Sequence, residues 1–271
     1  MTDICYSFAE QIQKKLGNFI PETAIILGSG LGDFVNQINN PIIIKYSDIK
    51  DFPTSTIQGH KGQFVAGTIN NKKVICMQGR IHLYEGYPAQ MIAQIIRSLK
   101  LIGIKNLIVT NAAGSLDEFM PAGSLMLIDD HINLSGQNPL IGANNDTFGE
   151  RFPSMEEAYD KNLKEIALQT AQQLNINLYK GTYLMVSGPN FETPAEIRAF
   201  KILQANAVGM STVPEVISAK HCKIKVLGLS VITNLGCGLQ TTQLSHEETL
   251  SNAQLATQKL SALLNSIIER I

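Results

Sequence analysis

Residues 106–114 read Asn-Leu-Ile-Val-Thr-Asn-Ala-Ala-Gly, an apolar run that gives way to small and polar residues at Thr110-Asn111-Ala112-Ala113-Gly114. Comparable short apolar runs lie at 23–27, 42–46, 64–69, 73–77, 125–132, 179–186, 206–210 and 224–233. Between them come stretches with apolar residues at helical spacing. A first helix follows Thr2, where Ile4, Phe8, Ile12 and Leu16 repeat at i,i+4 and Gly17 stops the pattern. Met91, Ile92, Ile95, Ile96 and Leu99 mark a second after Pro88, and a third spans 155–174. Thr193 with Glu196 and Ser245 with Glu248 are capping boxes, whose reciprocal bonds satisfy the first amides of two further helices. The last of these runs to about Ile268, with Leu260, Leu264 and Ile268 on one stripe. Strands alternating with helices predict one α/β domain over residues 1–271, built on a largely parallel or mixed sheet. The pairs Asn39–Asn40, Asn70–Asn71 and Asn144–Asn145 read as loop positions.

The 271 residues are 44% hydrophobic and 17% charged, enough to bury a sizeable core. A net charge of −1 gives neither a nucleic-acid groove nor a polybasic membrane patch. No apolar run approaches the ~20 residues of a membrane span. Asp3 and Glu10 stand where a signal peptide needs basic and then apolar residues, so a cytoplasmic protein is expected. Cys5, Cys76, Cys222 and Cys237 are scattered, without C-x-x-C or metal-ligand spacing, and read as reduced thiols with no metal.

In open α/β sheets ligands bind at the carboxyl ends of strands. Besides 110–114, three further runs end in small or polar residues: Gly28-Ser29-Gly30-Leu31-Gly32, Gly209-Met210-Ser211-Thr212 and Ile232-Thr233-Asn234. The first is not a dinucleotide fingerprint, because Asp33 stands where the third glycine belongs, and no Gly-Lys-Ser/Thr follows for a phosphate-binding loop of the Walker type. What remains is a short turn whose amides and Ser29 hydroxyl can cradle an anion. The same residues also make an ordinary structural turn.

Residues 78–87, Gln-Gly-Arg-Ile-His-Leu-Tyr-Glu-Gly-Tyr, carry the densest chemistry. Read as extended chain, Arg80, His82 and Tyr84 share one face while Ile81 and Leu83 take the other. The guanidinium fork matches phosphate or carboxylate, and the rings beside it suit a sugar or base. A solvated hairpin edge is the alternative. His60 sits in a turn; His131 lacks a third metal ligand and reads as structural; His221, near a helix end, reads as complementing the helix dipole. In 188–196, Phe191 can stack on a flat base and Glu192 can accept from ring N–H groups, or the two can simply staple and charge a helix start.

Taken together these segments resemble the trimeric purine nucleoside phosphorylase family. The resemblance runs in order through Leu27–Gly32, Gly59-His60, Gln78–Tyr87, Val109–Gly114, Asp130–Asn133, Gly136–Leu140, Gly188–Glu192, Ala207–Glu215, Ile232–Asn234 and Ser245–Glu248. It implies a mixed sheet partly closed into a barrel and flanked by helices. It implies reversible phosphorolysis of 6-oxopurine ribonucleosides and deoxyribonucleosides, inosine and guanosine, to free base and (deoxy)ribose 1-phosphate in purine salvage. Inorganic phosphate is then a co-substrate, and no metal or organic cofactor is needed.

By the same resemblance phosphate maps onto Ser29, Arg80, His82, the Ala112 backbone and Ser211, with His60 closing over it. The purine maps onto Phe191, Glu192, Val208, Thr233 and Asn234, and the ribose onto Tyr84, Met210 and His246. Catalysis falls to His82, Glu192, Asn234 and His246. Phe152 is implied to enter a neighbouring subunit's pocket in a homotrimer. Gln63 stands where arginine is common in the turn after His60, and Leu235-Gly236-Cys237-Gly238 departs from the alanines usual in bacterial relatives. Two rivals remain: a methylthioadenosine phosphorylase-like enzyme, which favours an acid at position 234, and a non-catalytic nucleoside-binding protein, which has no need of Arg80, His82 and Ser211.

Overall fold

A computed structural model describes residues 4–57, 60–239 and 246–271, the side chains of 246–255 excepted. Every apolar run becomes a strand: β1 Thr23–Leu27, β2 Asn39–Lys45, β3 Gln63–Ile69, β4 Lys72–Gln78, β5 Asn106–Ser115, β6 Leu125–Asn133, β7 Leu178–Met185, β8 Ala207–Gly209 and β9 Lys225–Leu235. The helices are α1 Ile4–Leu16, α2 Ala89–Leu101, α3 Lys161–Gln173, α4 Pro194–Ile202, α5 Val213–His221 and α6 His246–Arg270.

The strands form a mixed sheet in the order β2-β3-β4-β1-β5-β8-β7-β6-β9, and β9 pairs back with β5. That pairing closes β5, β8, β7, β6 and β9 into a barrel, as expected, and leaves β2, β3, β4 and β1 as an open wing. β1 lies parallel to both β4 and β5 and is buried at every position, which is why it reads as an unbroken apolar run. α1, α2 and α5 contribute to one core layer, with Phe8, Ile12, Ile92, Ile96 and Val216 buried in it. α3 and α6 contribute to the other, through Leu163, Ala167, Leu260, Leu264 and Ile268.

Several local readings change. The third helix begins at Lys161 rather than near 155. Asp160 caps it by accepting from the Leu163 amide at 2.9 Å, while the Asp160 amide donates to the Val226 carbonyl at 2.8 Å. The preceding Tyr159 is thereby held in the core, only 1% exposed, and cannot continue a helix. Asn39–Asn40 belong to β2, where Asn40 takes φ 51° beside a register shift against β3. Asn70 and Asn71, with φ 49° and 62°, do form the tight β3–β4 turn. Gln63 is a strand residue, and its amide donates to Gln78 at 2.7 Å. His221 is buried rather than complementing a helix end; burial holds its imidazole below the usual range, and Nε2 lies 3.1 Å from Asn144 Oδ1. The Ser245–Glu248 box and Gly59 fall outside the described residues.

Candidate active site

The polar strand ends converge. A cavity of about 430 Å³ is lined by Ser29 after β1, Arg80, His82 and Tyr84 after β4, Ala112–Gly114 on β5, Val208–Ser211 around β8, and Thr233 and Asn234 on β9. Pro189, Phe191 and Glu192 complete it from the β7–α4 connection. The convergence depends on close backbone packing. A Cβ on Gly28 would lie 2.8 Å from Asn111 Cα, so only glycine lets the end of β1 sit this near β5. Thr110 locks the junction, donating to the Ile26 carbonyl at 2.9 Å while accepting from the Gly28 amide at 3.1 Å.

One end of the cavity is cationic. Arg80 is 3% exposed, and its Nη2 donates to Ser211 Oγ at 2.8 Å and to the Thr110 carbonyl at 3.0 Å. Nη1 donates to Glu215 Oε1 at 3.2 Å. Ser211 is aimed by its neighbour: Thr212 takes φ 80°, a conformation β-branched residues rarely adopt, and Asn111 Nδ2 donates to its hydroxyl at 2.9 Å. Strain of this kind costs about 1–3 kcal/mol and persists only where the surroundings over-determine it. Here it turns Ser211 into the cavity ahead of α5.

His82 is fixed by Glu85. The carboxylate accepts from both the His82 amide and Nδ1 at 2.9 Å, and also from the Thr56 amide at 2.7 Å. Burial pushes the Glu85 carboxyl up, but these bonds outweigh it and bring it to about 2. Burial holds the His82 imidazole below its usual range, with Glu85 only partly opposing. The pair is therefore a carboxylate beside a neutral imidazole, with Nδ1–H donating to Glu85 and Nε2 left as an acceptor. His60 stacks on His82 and His82 on Tyr84, with ring centres 5.3 and 4.7 Å apart. His60 Nε2 lies 3.4 Å from Ser29 Oγ, and burial, reinforced by His82 and Arg80, lowers its imidazole to about 4.

The other end is flatter and less charged. Phe191 is 39% exposed beside Glu192, which is 8% exposed and whose carboxyl burial raises above the ordinary range. Asn234 Oδ1 accepts from Thr233 Oγ1 at 2.8 Å, and Nδ2 donates to the Leu235 carbonyl at 3.0 Å.

Of the residues expected from the sequence, Ser29, Arg80, His82, Tyr84, Ala112, Phe191, Glu192, Val208, Met210, Ser211, Thr233 and Asn234 share this cavity. His60 stands behind Ser29 and His82 rather than in the lining. His246 begins α6, and its side chain is outside the described residues. Phe152 is 85% exposed and borders a different hollow, with Arg151, Met155 and Ile217. Arg80, His82 and Tyr84 share a side as read, although Leu83–Glu85 is a 3-10 turn rather than extended chain. Sequence reasoning missed Glu85, Thr56 and Glu215. The alternation rule disregarded Glu85 because a turn, not a strand, brings it back to His82. Among the described residues no group of His, Cys, Asp and Glu can hold a metal ion, and no helix is long and apolar enough to cross a membrane.

The family model described as "Phosphorylase superfamily" matches residues 22–269. Purine nucleoside phosphorylase 1 of Bacillus subtilis is 48% identical over 93% of this chain and 91% of its own length. The purine nucleoside phosphorylase of Bos taurus is 46% identical over 93% and 89%. Purine nucleoside phosphorylase structures from Schistosoma mansoni in complex with adenosine, and from Schistosoma with guanosine, superpose with TM-scores of 0.94 and 0.92. Both are 38% identical, cover all of this chain, and are themselves covered to 98% and 97%.

Proposed function

The chain belongs to the purine nucleoside phosphorylases of the phosphorylase superfamily, and from that membership we propose that it prefers 6-oxopurine nucleosides, inosine and guanosine, and serves purine salvage. The observation that carries the reading is the division of one cavity into a cationic end at Arg80, Ser211, Ser29 and His82 and a base-sized end at Phe191, Glu192 and Asn234. A non-catalytic binder of nucleosides has no use for the first of these.

In this reading phosphate lies against Arg80, Ser29, Ser211 and the Ala112 backbone. His82 Nε2 accepts a hydrogen bond from a phosphate or sugar hydroxyl. Cleavage of the glycosidic bond makes the sugar cationic and the purine anionic. Phosphate, at once nucleophile and counter-charge, attacks C1′, and the bonding pair leaves with the base. The side chains position and stabilise charge rather than supply bonds. The sugar lies on Tyr84 and Met210, an aromatic face and a thioether that demand no 2′-hydroxyl, so deoxyribonucleosides are substrates too. By the family resemblance the 5′-hydroxyl falls to His246, whose side chain lies outside the described residues. Residues 1–271 act as one domain, and Phe152, exposed on its own subunit, enters the neighbour's pocket in a trimer.

At the base end Glu192 accepts from N1–H, which 6-oxopurines have and neutral adenine lacks. Asn234 gives up its bond to the Leu235 carbonyl and donates to O6, and its oxygen accepts from N7–H once the departing anionic base has taken a proton there from solvent. A carboxyl at 234, the feature of the methylthioadenosine rival, is absent. Since a Schistosoma mansoni relative holds adenosine in its crystals, occupancy does not settle the matter and turnover does. kcat/KM is expected to favour inosine and guanosine over adenosine. Asn234→Ala is expected to lose about 10²–10³ in kcat for inosine, and Asn234→Asp to shift the ratio toward adenosine. Equal wild-type values, or no relative gain in the Asp variant, would remove Asn234 from selectivity.

A further inference from the structure

Glu215 is a buried carboxylate that the phosphorolysis mechanism leaves without a task. It sits in the first turn of α5, three residues beyond Thr212, and is 3% exposed. It is absent from the cavity lining and lies behind Arg80, beside a void of about 10 Å³ walled by Ile26, Met77, Ile81, Ile92, Ile95 and Ile96. Its Oε1 accepts from Arg80 Nη1 at 3.2 Å, and among the described residues Oε2 is buried without a hydrogen-bond partner. Arg80 Nε is likewise buried and unpartnered.

Holding Arg80 in place does not call for this arrangement. Nη2 is already pinned by the shorter bonds to Ser211 Oγ and the Thr110 carbonyl. A neutral acceptor would complete the geometry without the large desolvation cost of a buried carboxylate. What a carboxylate adds is charge. In an aliphatic surrounding of low dielectric, a negative charge behind the guanidinium is felt strongly on its far side. The reaction is reversible, so inorganic phosphate and a sugar 1-phosphate must both enter and leave past the same cation. An unopposed Arg80 holds both too long.

We infer that Glu215 is a positioning residue that acts through Arg80 by its charge, weakening the anion site enough for phosphate and the sugar phosphate to exchange. The inference rests on the phosphate reading of this cavity. It also runs opposite to a structural role: removing a structural brace loosens phosphate, whereas removing an opposing charge tightens it.

The test titrates inorganic phosphate into the free enzyme and measures KM for phosphate, KM for inosine and inhibition by ribose 1-phosphate. Wild type is compared with Glu215→Gln, Glu215→Met and Glu215→Asp. The Gln and Met variants are expected to bind phosphate and ribose 1-phosphate roughly three- to ten-fold more tightly, the scale of one added charge felt through the protein. Their KM for inosine should be unchanged and their kcat lowered by slower product release. Glu215→Asp, which keeps the charge, should stay near wild type. Two uncharged variants are used so that one folded protein suffices, and Glu215→Asp must differ from either. A folded Gln or Met variant with phosphate affinity equal to or weaker than wild type overturns the inference. Failure of the wild type to bind phosphate overturns the site reading and this inference together.

Discussion

The two ends of the cavity are built on different plans. At the cationic end the hydrogen bonds are already made: Arg80 to Ser211 and Thr110, Glu85 to His82 and Thr56, Thr212 held by Asn111. Arg80, His82, Thr110, Asn111, Ser211 and Thr212 are buried, and the backbone is strained at Thr212 to place Ser211. At the end proposed for the base Phe191 is 39% exposed, and the Asn234 amide is engaged with Thr233 and Leu235, bonds with which a bound purine would compete. Phosphate is the same in every turnover and repays a rigid, preorganised site. The base is exchanged for another of different edge chemistry, and a site that rearranges on binding can still discriminate between them.

The largest expected effect breaks the rigid end. Arg80→Ala removes the cation and leaves Glu215 buried and unpaired, so kcat/KM for phosphate should fall by about 10³, with much less change in binding of free hypoxanthine. A phosphate or sulfate soak should place the anion against Ser29, Arg80 and Ser211. An anion bound elsewhere, or a small loss of activity, would mean that the preorganised end serves another ligand.

A smaller effect separates the ends by pH. His60 is held at about 4 by burial, then by His82 and Arg80, against about 6.5 when unfolded. Because the unfolded chain binds the proton more readily, this group costs nothing above pH 6.5, and stability is lost as pH falls from there toward 4. His82 is lowered in the same direction. Chemical denaturation across that range should show about 2 kcal/mol less loss in His60→Gln than in wild type. Parallel curves for the two proteins would place His60 in contact with solvent.

The smallest effect concerns the open end. If a neighbouring subunit's Phe152 covers the sugar and base, Phe152→Ala should raise KM for inosine about ten-fold and leave KM for phosphate alone. Sedimentation should show an oligomer for the active species. A fully active monomer would make the open end complete within one chain.

Much of this was legible in residue order. Every strand was legible as an apolar run: β1, buried at every position, is apolar almost throughout, and the mostly exposed β2 still shows Ile42, Ile43 and Ile44 in a row. Arg80, His82 and Tyr84 were found on one side because two-residue alternation survives over so short a distance, even though Leu83–Glu85 closes into a turn. The reading failed where a local pattern met a tertiary demand. The helix expected from 155 starts at Lys161 because the Asp160 amide is taken by the carbonyl of Val226 on another element. α5 carries no stripe, since core surrounds it on nearly every side.

The sequence by itself therefore determined the α/β class, the strand ends where ligand chemistry collects, and the types of side chain available there. Only the tertiary structure decided that the barrel closes through β5 and β9, and that Glu85 and Glu215 stand behind His82 and Arg80. Burial patterns and turn chemistry are written in neighbouring residues. The state of a buried histidine or arginine depends instead on a carboxylate whose distance is set by the fold, 3 residues away along the chain in one case and 135 in the other.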